Sequence, residues 1–156
     1  MPIENKKEWN NLLAKARRGN PEAQWEVGYI YEEGITDSGG TTLVKSQPSR
    51  ALHWYTLSAK QGHTGSQIAL GKLLSTGHSV KRDTEAAIFW TKQAIKQGSF
   101  SAAHNLGTIY RDLKKPVLAF RWYSRAVDMG DLDSLFQLGL CHLFGFGTKT
   151  NYRVYA

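Results

Sequence analysis

The chain repeats itself on a framework of glycine residues, and this repetition restricts its fold more than any other feature. The first glycine of each copy is Gly19, Gly62, Gly98 or Gly130. At one constant distance after these stands a second glycine, which is Gly28, Gly71, Gly107 or Gly139. Between the two lies a small residue, which is Ala23, Ser66, Ala102 or Ser134. Columns that coincide in every copy indicate an array of repeated units that share one continuous core.

Each copy is predicted to form two helices, with the first glycine between them. Ahead of three of these glycines run an alanine column and a tryptophan column, Ala51, Ala87 and Ala119 with Trp54, Trp90 and Trp122. Apolar residues at helical spacing place the first helices over 6–18, 48–61, 83–97 and 116–129. The second helices are expected over 21–33, 64–76, 100–112 and 132–144. Because the tryptophans share one position, we interpret them as packing within the stack.

The helix ends carry their own signals. The first glycine suits a left-handed C-cap, and Asn20, Ser99 and Asp131 directly after it are good N-caps, whereas His63 is not. The second glycine falls inside a helix, where it costs about 1 kcal/mol relative to alanine. Such a cost in every copy predicts close approach between helices.

The units are predicted over 1–34, 48–77, 83–113 and 116–145, within one domain, 1–156. Residues 35–47 form an insert loop, and 146–156 form a C-terminal stub. Since one hairpin cannot bury its apolar face alone, stability is expected to come from the stack. The predicted fold class is therefore all-α, an α-solenoid of about four stacked helix–turn–helix repeats.

The run from Ala51 to Gly71 resembles the Sel-1-like repeat, a relative of the tetratricopeptide repeat with longer and more variable units. The matching residues are Ala51, Trp54, Tyr55, Ala59, Gln61, Gly62, Ser66, Gln67, Leu70 and Gly71. The signature recurs from Ala119 to Gly130, and Thr91 departs from it where the family has tyrosine. The resemblance implies a right-handed superhelix and a role as a scaffold or regulator of protein complexes, very often bacterial.

Composition excludes several classes of protein. Apolar residues make up 41% of the chain and the mean hydropathy is −0.43, which does not fit a disordered or a membrane-spanning chain. The single cysteine, Cys141, rules out an internal disulfide, and the first residues lack the apolar segment of a secretion signal. The chain is expected to be soluble and cytoplasmic.

No group of residues indicates catalysis, a cofactor or a metal. Cys141 lies among leucines of a predicted second helix and is interpreted as a buried, unreactive thiol. The five histidines lack zinc-ligand spacing. Asp131 and Asp133 are explained by capping of the helix that follows.

The remaining candidate is the surface of the first helices, which line the concave, partner-binding face in helical solenoids. Positions one before and two after the tryptophan column, with lysines near the helix ends, are predicted to face the partner. They are His53, Thr56, Lys60, Phe89, Lys92, Lys96, Arg121 and Ser124. Phe89 is the predicted apolar anchor in a cationic strip.

Residues 1–47 carry a net charge of −1 and residues 48–156 carry +8, so a protein partner with an acidic surface is expected. The leading hypothesis is a non-catalytic adaptor, which the resemblance extends to a bacterial immunity protein that neutralises a cognate toxin. The alternative is a helical repeat that binds nucleic acid through its basic second half. No membrane contact is expected, and the chain is predicted to be a monomer or a weak end-to-end dimer with 151–156 as its edge.

Overall fold

The computed structural model of the protein describes residues 3–145 and residue 147. The helices of these residues are α1 (Lys6–Arg17), α2 (Pro21–Glu33), α3 (Pro48–Lys60), α4 (Thr64–Thr76), α5 (Thr84–Lys96), α6 (Phe100–Asp112), α7 (Pro116–Asp128) and α8 (Asp133–Phe144). Each predicted helix is present with ends shifted by at most about one residue, so the all-α prediction is confirmed. None of the helices in the described ranges is long and apolar enough to cross a bilayer.

The chain forms two compact units that meet in sequence between Asp83 and Thr84. In the first unit, α2 packs against α1 and α3, and α3 packs against α4. In the second unit, α6 packs against α5 and α7, and α7 packs against α8. Each unit is thus built from helices that pack against their neighbours in the chain, as a repeat array requires.

Residues 35–47, treated above as a loop, contain an antiparallel hairpin of β1 (Ile35–Thr36) and β2 (Thr42–Val44). The side chain of Asp37 holds the turn, because it accepts hydrogen bonds from the N–H groups of Gly39 at 2.9 Å and Thr41 at 2.8 Å. Gly40 supplies the left-handed backbone that the turn needs, with φ of 83°. A short aspartate-and-glycine turn of this kind brings the two strands together.

The same side-chain hydrogen bond stands at the start of all four second helices. Asn20, His63, Ser99 and Asp131 accept a hydrogen bond from the N–H of the small residue three positions on, at 2.8, 3.1, 3.1 and 3.1 Å. The predicted caps Asn20 and Ser99 are confirmed, and His63 adds another with its Nδ1 atom as the acceptor. In the last unit Leu132 is the N-cap residue, and Asp131 makes the equivalent hydrogen bond from one position earlier. Nε2 of His63 therefore carries the proton and donates to the Glu22 carboxylate at 2.8 Å. Histidine is not among the usual N-cap residues, which is why the sequence missed it.

Tyrosines, rather than tryptophans, are the fully buried aromatic residues of the core. Tyr55 and Tyr123 are 1% and 0% exposed, and each lies against the second glycine of the preceding helix. The predicted close approach of helices is confirmed at Gly28 and Gly107. The tryptophan column at Trp54, Trp90 and Trp122 is only half-buried.

Candidate functional site

The predicted partner-binding residues of the first unit lie on one side of α3. His53, Thr56 and Lys60 are spaced i, i+3 and i+7, so they share a helix face, opposite the buried Ala51 and Tyr55. His53 and Lys60 are exposed and Thr56 is half-buried. These three residues form what we call the first-unit strip.

The second unit repeats this arrangement on two helices. The second-unit strip comprises Phe89, Lys92 and Lys96 on α5 and Arg121 and Ser124 on α7. Phe89 is 52% exposed, although its side chain is large and apolar. Its ring meets Trp90 edge-on, with the two ring centroids 5.0 Å apart, so the half-buried tryptophan packs against the exposed phenylalanine.

Two hydroxyl groups of the strips are used within their own helices. Oγ1 of Thr56 donates to the carbonyl of Leu52 at 2.7 Å, and Oγ of Ser124 donates to the carbonyl of Phe120 at 2.9 Å. Because a hydroxyl has a single proton, neither side chain has a donor left for a partner. The strips therefore offer cationic and aromatic groups.

The cationic side chains of the strips make no ion pair with any described residue. Lys60, Lys92, Lys96 and Arg121 are all exposed. The carboxylates that do pair bind His63, His104 and Arg111, which lie outside both strips. The strip cations are thus open to a carboxylate from outside the chain.

Arg125 belongs to the same surface, although it is not among the residues predicted to face a partner. Its guanidinium carbon lies 5.5 Å from the centroid of the Trp122 ring, in a cation–π contact. The i, i+4 spacing from Arg121 places both arginines on one side of α7 and was the available signal. In the first unit, His53 meets Trp54 edge-on at 5.6 Å. The tryptophans thus support the exposed residues beside them.

A serine, an aspartate and a histidine meet in the second unit, and they form a helix cap. Asp131 accepts hydrogen bonds from Oγ and N–H of Ser134, and it lies 3.1 Å from Nδ1 of His104. Ser134 Oγ contacts the same ring nitrogen at 2.8 Å, whereas a catalytic triad places hydroxyl and carboxylate on opposite nitrogens. Burial raises the pKa of Asp131, but the hydrogen bond from Ser134 and the positive potential of His104 outweigh it and hold the pKa below its ordinary value.

Cys141 is free and buried, as predicted. Burial raises the pKa of its thiol, and the nearby charge of Arg111 only partly offsets this effect. The thiol is therefore protonated at neutral pH and is a poor nucleophile. Across the described ranges, no group of three or more His, Cys, Asp or Glu residues is placed to hold a metal ion.

Most of the chain matches the family model of the Sel1 repeat, over residues 21–63, 65–99, 101–131 and 132–154. The first three matches each begin near the start of a second helix and run through the next first helix. A repeat of the family model thus joins the second helix of one predicted unit to the first helix of the next unit.

Three curated relatives come from distant organisms. The chitin synthase regulator of Saccharomyces cerevisiae is 28% identical over 149 residues, covering 91% of this chain and 21% of the relative. A putative sel1-like repeat-containing protein of Acanthamoeba polyphaga mimivirus is 32% identical over 131 residues, which are 83% of this chain and 22% of the relative. A component of an ERAD-associated E3 ubiquitin-protein ligase in Candida glabrata is 26% identical over 125 residues, which are 74% of this chain and 15% of the relative. The chain spans less than a quarter of each relative.

Two solved structures share the architecture. A protective antigen of uropathogenic Escherichia coli with an SLR fold superposes with a TM-score of 0.77 and 32% identity, over 94% of this chain and 31% of that one. A Sel1 repeat protein from Oxalobacter formigenes gives a TM-score of 0.71 and 26% identity, over 93% and 57%. The fold is an all-α solenoid, and the chain belongs to the Sel1 repeat family.

Proposed function

We propose that the protein is a non-catalytic adaptor that binds another protein through the two strips. The observation that carries this proposal is Phe89, a large apolar side chain exposed beside cations without ion pairs. Protein interfaces concentrate aromatic residues and arginine near their centres and keep a polar rim. Relatives named as a regulator and as a ligase component support a role in protein assemblies.

The proposed partner has an acidic surface. The strips carry Lys60, Lys92, Lys96 and Arg121, and the whole chain has a net charge of +7. Opposite charge on the partner raises the association rate and makes binding weaken as salt increases. Phe89 then supplies the apolar contact that persists at moderate salt.

The test is capture of partners by the tagged, full-length protein from its native cells at low and moderate salt, read by mass spectrometry. The double variant Lys92→Glu/Arg121→Glu reverses two strip cations, and Phe89→Ala removes the anchor. The matched control Lys72→Glu/Lys81→Glu reverses two exposed lysines outside both strips. We expect one stoichiometric protein that both strip variants lose and the control keeps. Equal retention by all variants contradicts the proposal.

The same eluate distinguishes the nucleic-acid alternative. Stacking of bases needs exposed aromatic side chains among cations, a condition that Phe89 meets and the half-buried tryptophan column does not. Salt-sensitive retention of nucleic acid without a protein partner would overturn the adaptor proposal.

A narrower form of the proposal is a cytoplasmic bacterial immunity protein that neutralises a cognate toxin. Its support is the family resemblance and the free Cys141, which suits a reducing compartment. The captured partner is expressed alone and then with this protein. Growth arrest that the wild type relieves and Lys92→Glu/Arg121→Glu does not relieve supports the narrower form. A partner without toxicity removes that form and leaves the adaptor proposal standing.

We propose that self-association is limited to a monomer or a weak end-to-end dimer. The side chains of Leu135 and Phe136 on α8 are 49% and 68% exposed, which leaves apolar surface at this end of the second unit. The predicted edge at 151–156 lies outside the described residues. Sedimentation at rising concentration is expected to show a weak dimer that Leu135→Glu/Phe136→Glu abolishes. A dimer that survives this change contradicts the end-to-end arrangement.

A further inference from the structure

The second unit contains a cavity of about 500 Å³ between α7, α8 and the end of α6. Its walls include Ala119 and Tyr123 of α7 and Leu140 and Cys141 of α8. Protein sites for small organic molecules fall in the range of about 300–1,000 Å³. The cavity is therefore large enough for a small ligand.

The part of the cavity wall formed by Ala119, Tyr123, Leu140 and Cys141 is neutral and mostly apolar. Ala119, Tyr123 and Cys141 are 2%, 0% and 6% exposed. The Tyr123 hydroxyl is already hydrogen-bonded to Thr108 at 3.1 Å. The protonated Cys141 thiol adds no charge. An apolar body is thus the part of a ligand that these walls accommodate.

Two cations, Arg111 and Lys114, also line the cavity. Arg111 pairs with the exposed Asp112 at 3.3 Å and reaches Gln137 at 3.4 Å. Lys114 is exposed, and no carboxylate of the described residues lies within ion-pair distance of its ammonium group. This side of the cavity therefore keeps excess positive charge.

The equivalent place in the first unit carries different side chains. Tyr55 is the repeat equivalent of Tyr123, and Glu32 stands in the column of Arg111. The Tyr55 hydroxyl donates to that carboxylate at 2.6 Å. Residues 34–47 join α2 to α3, whereas only residues 113–115 join α6 to α7. Between these two sites, only the one in the second unit combines a cation, Arg111, with a short connection between the helices.

From the cavity, the neutral part of its wall and its two cations we infer that it binds a small amphipathic carboxylate, an aliphatic or aromatic acid. The carboxylate lies between Arg111 and Lys114, where a guanidinium offers paired N–H donors. The apolar body lies against Ala119, Leu140 and Cys141. This site is separate from both strips, so it goes beyond the proposed adaptor function.

Decanoate and the matched neutral compound decanol are the probes, and Cys141 is the reporter. Cys141 is the only cysteine and lines the cavity, so an occupant shields it from a small thiol reagent. Because the thiol is buried and protonated, its modification is slow and is followed with excess reagent over hours. We expect decanoate to slow Cys141 modification in the full-length protein by about tenfold or more at saturation. Decanol is expected to need roughly ten times the concentration for equal protection, since it lacks the charge that both cations bind.

Two double variants decide the role of the cations. Arg111→Gln/Lys114→Gln is expected to erase the preference for decanoate over decanol and to leave decanol binding unchanged. Lys92→Gln/Arg121→Gln removes the same charge from the second-unit strip and is expected to retain the preference. Isothermal titration gives the affinities independently of the thiol. The inference is overturned if decanoate fails to bind, if decanol protects equally well, or if both double variants lose the preference alike.

Discussion

The ring of Tyr55 lies directly on Gly28, so that a Cβ atom on this glycine would stand 2.6 Å from Cδ1 and 2.7 Å from Cε1 of the ring. The second unit repeats the contact between Gly107 and Tyr123, with both distances at 2.7 Å. No real Cβ atom tolerates such distances, so the ring or the helix must move to admit one. The missing side chain at the second glycine is what lets α2 and α3 pack so closely.

Gly28→Ala is expected to destabilise the protein by up to about 2 kcal/mol. Alanine gains about 1 kcal/mol of helix propensity, but overpacking of a filled core costs about 1–3 kcal/mol. The clash prevails because Tyr55 is fully buried and its hydroxyl is fixed on Glu32. Urea unfolding of both proteins measures the difference in free energy.

Tyr55→Thr supplies the control for this substitution. Threonine occupies the equivalent position at Thr91, where Oγ1 donates to the Ala87 carbonyl of its own helix. In the Tyr55→Thr background the clash is absent, so Gly28→Ala is expected to be neutral or stabilising. An identical cost in both backgrounds would show that the ring is not the cause.

The repeat made the helices predictable, because its columns combine a C-cap glycine, a capping residue and apolar spacing in each copy. Which aromatic residue is buried was not predictable, since Trp54 and Tyr55 are adjacent and either suits the packed side of α3. Tyr55 is the buried residue because Gly28 of the neighbouring helix leaves room for its ring. This contact exists only once the two helices pack together.

The candidate site was predictable only in part. Helical spacing located Phe89, Lys92 and Arg121 on exposed faces. The internal hydrogen bonds of Thr56 and Ser124 were not visible, because they depend on side-chain rotamers. The cavity was missed because it depends on how three helices meet, and the positions of its residues in the sequence do not show this.

Tyr55 is expected to make the protein more sensitive to alkali. Burial raises the pKa of its hydroxyl above the ordinary value near 10, and the hydrogen bond to Glu32 adds to the effect. Above that pH the unfolded chain releases a proton that the folded chain retains, so stability falls as pH rises. Tyr55→Phe removes this contribution at a cost of about 0.5–1.5 kcal/mol at neutral pH. Its unfolding free energy should decline less steeply above pH 10, and parallel declines would contradict this account.

Asp131 is expected to stabilise the cap of α8 through its charge. Its folded-state pKa is lowered, so its contribution is complete above the unfolded value of about 4 and is lost as pH falls through the folded value. Asparagine caps a helix about as well as aspartate, but its neutral oxygen accepts weaker hydrogen bonds. Asp131→Asn is therefore expected to cost about 1 kcal/mol at pH 7, and the difference should shrink below pH 4. Asp133→Asn is the control, because Asp133 is exposed in the same helical turn. Equal losses from both substitutions would assign the effect to the helix dipole instead.

His142 is expected to be a site where stability can be gained. Its Nδ1 atom is buried and has no hydrogen-bond partner among the described residues, while its ring meets Phe120 edge-on at 5.3 Å. A buried polar atom without a partner costs about 1–3 kcal/mol, so His142→Phe, which keeps the ring contact, should stabilise the protein by about 1 kcal/mol. His104→Phe provides the opposite case, because Nδ1 of His104 is bonded to Asp131 and Ser134 and its removal should destabilise. Thermal or urea unfolding of the two variants decides the matter, since a loss of stability in both would mean that the His142 ring nitrogen is satisfied in solution.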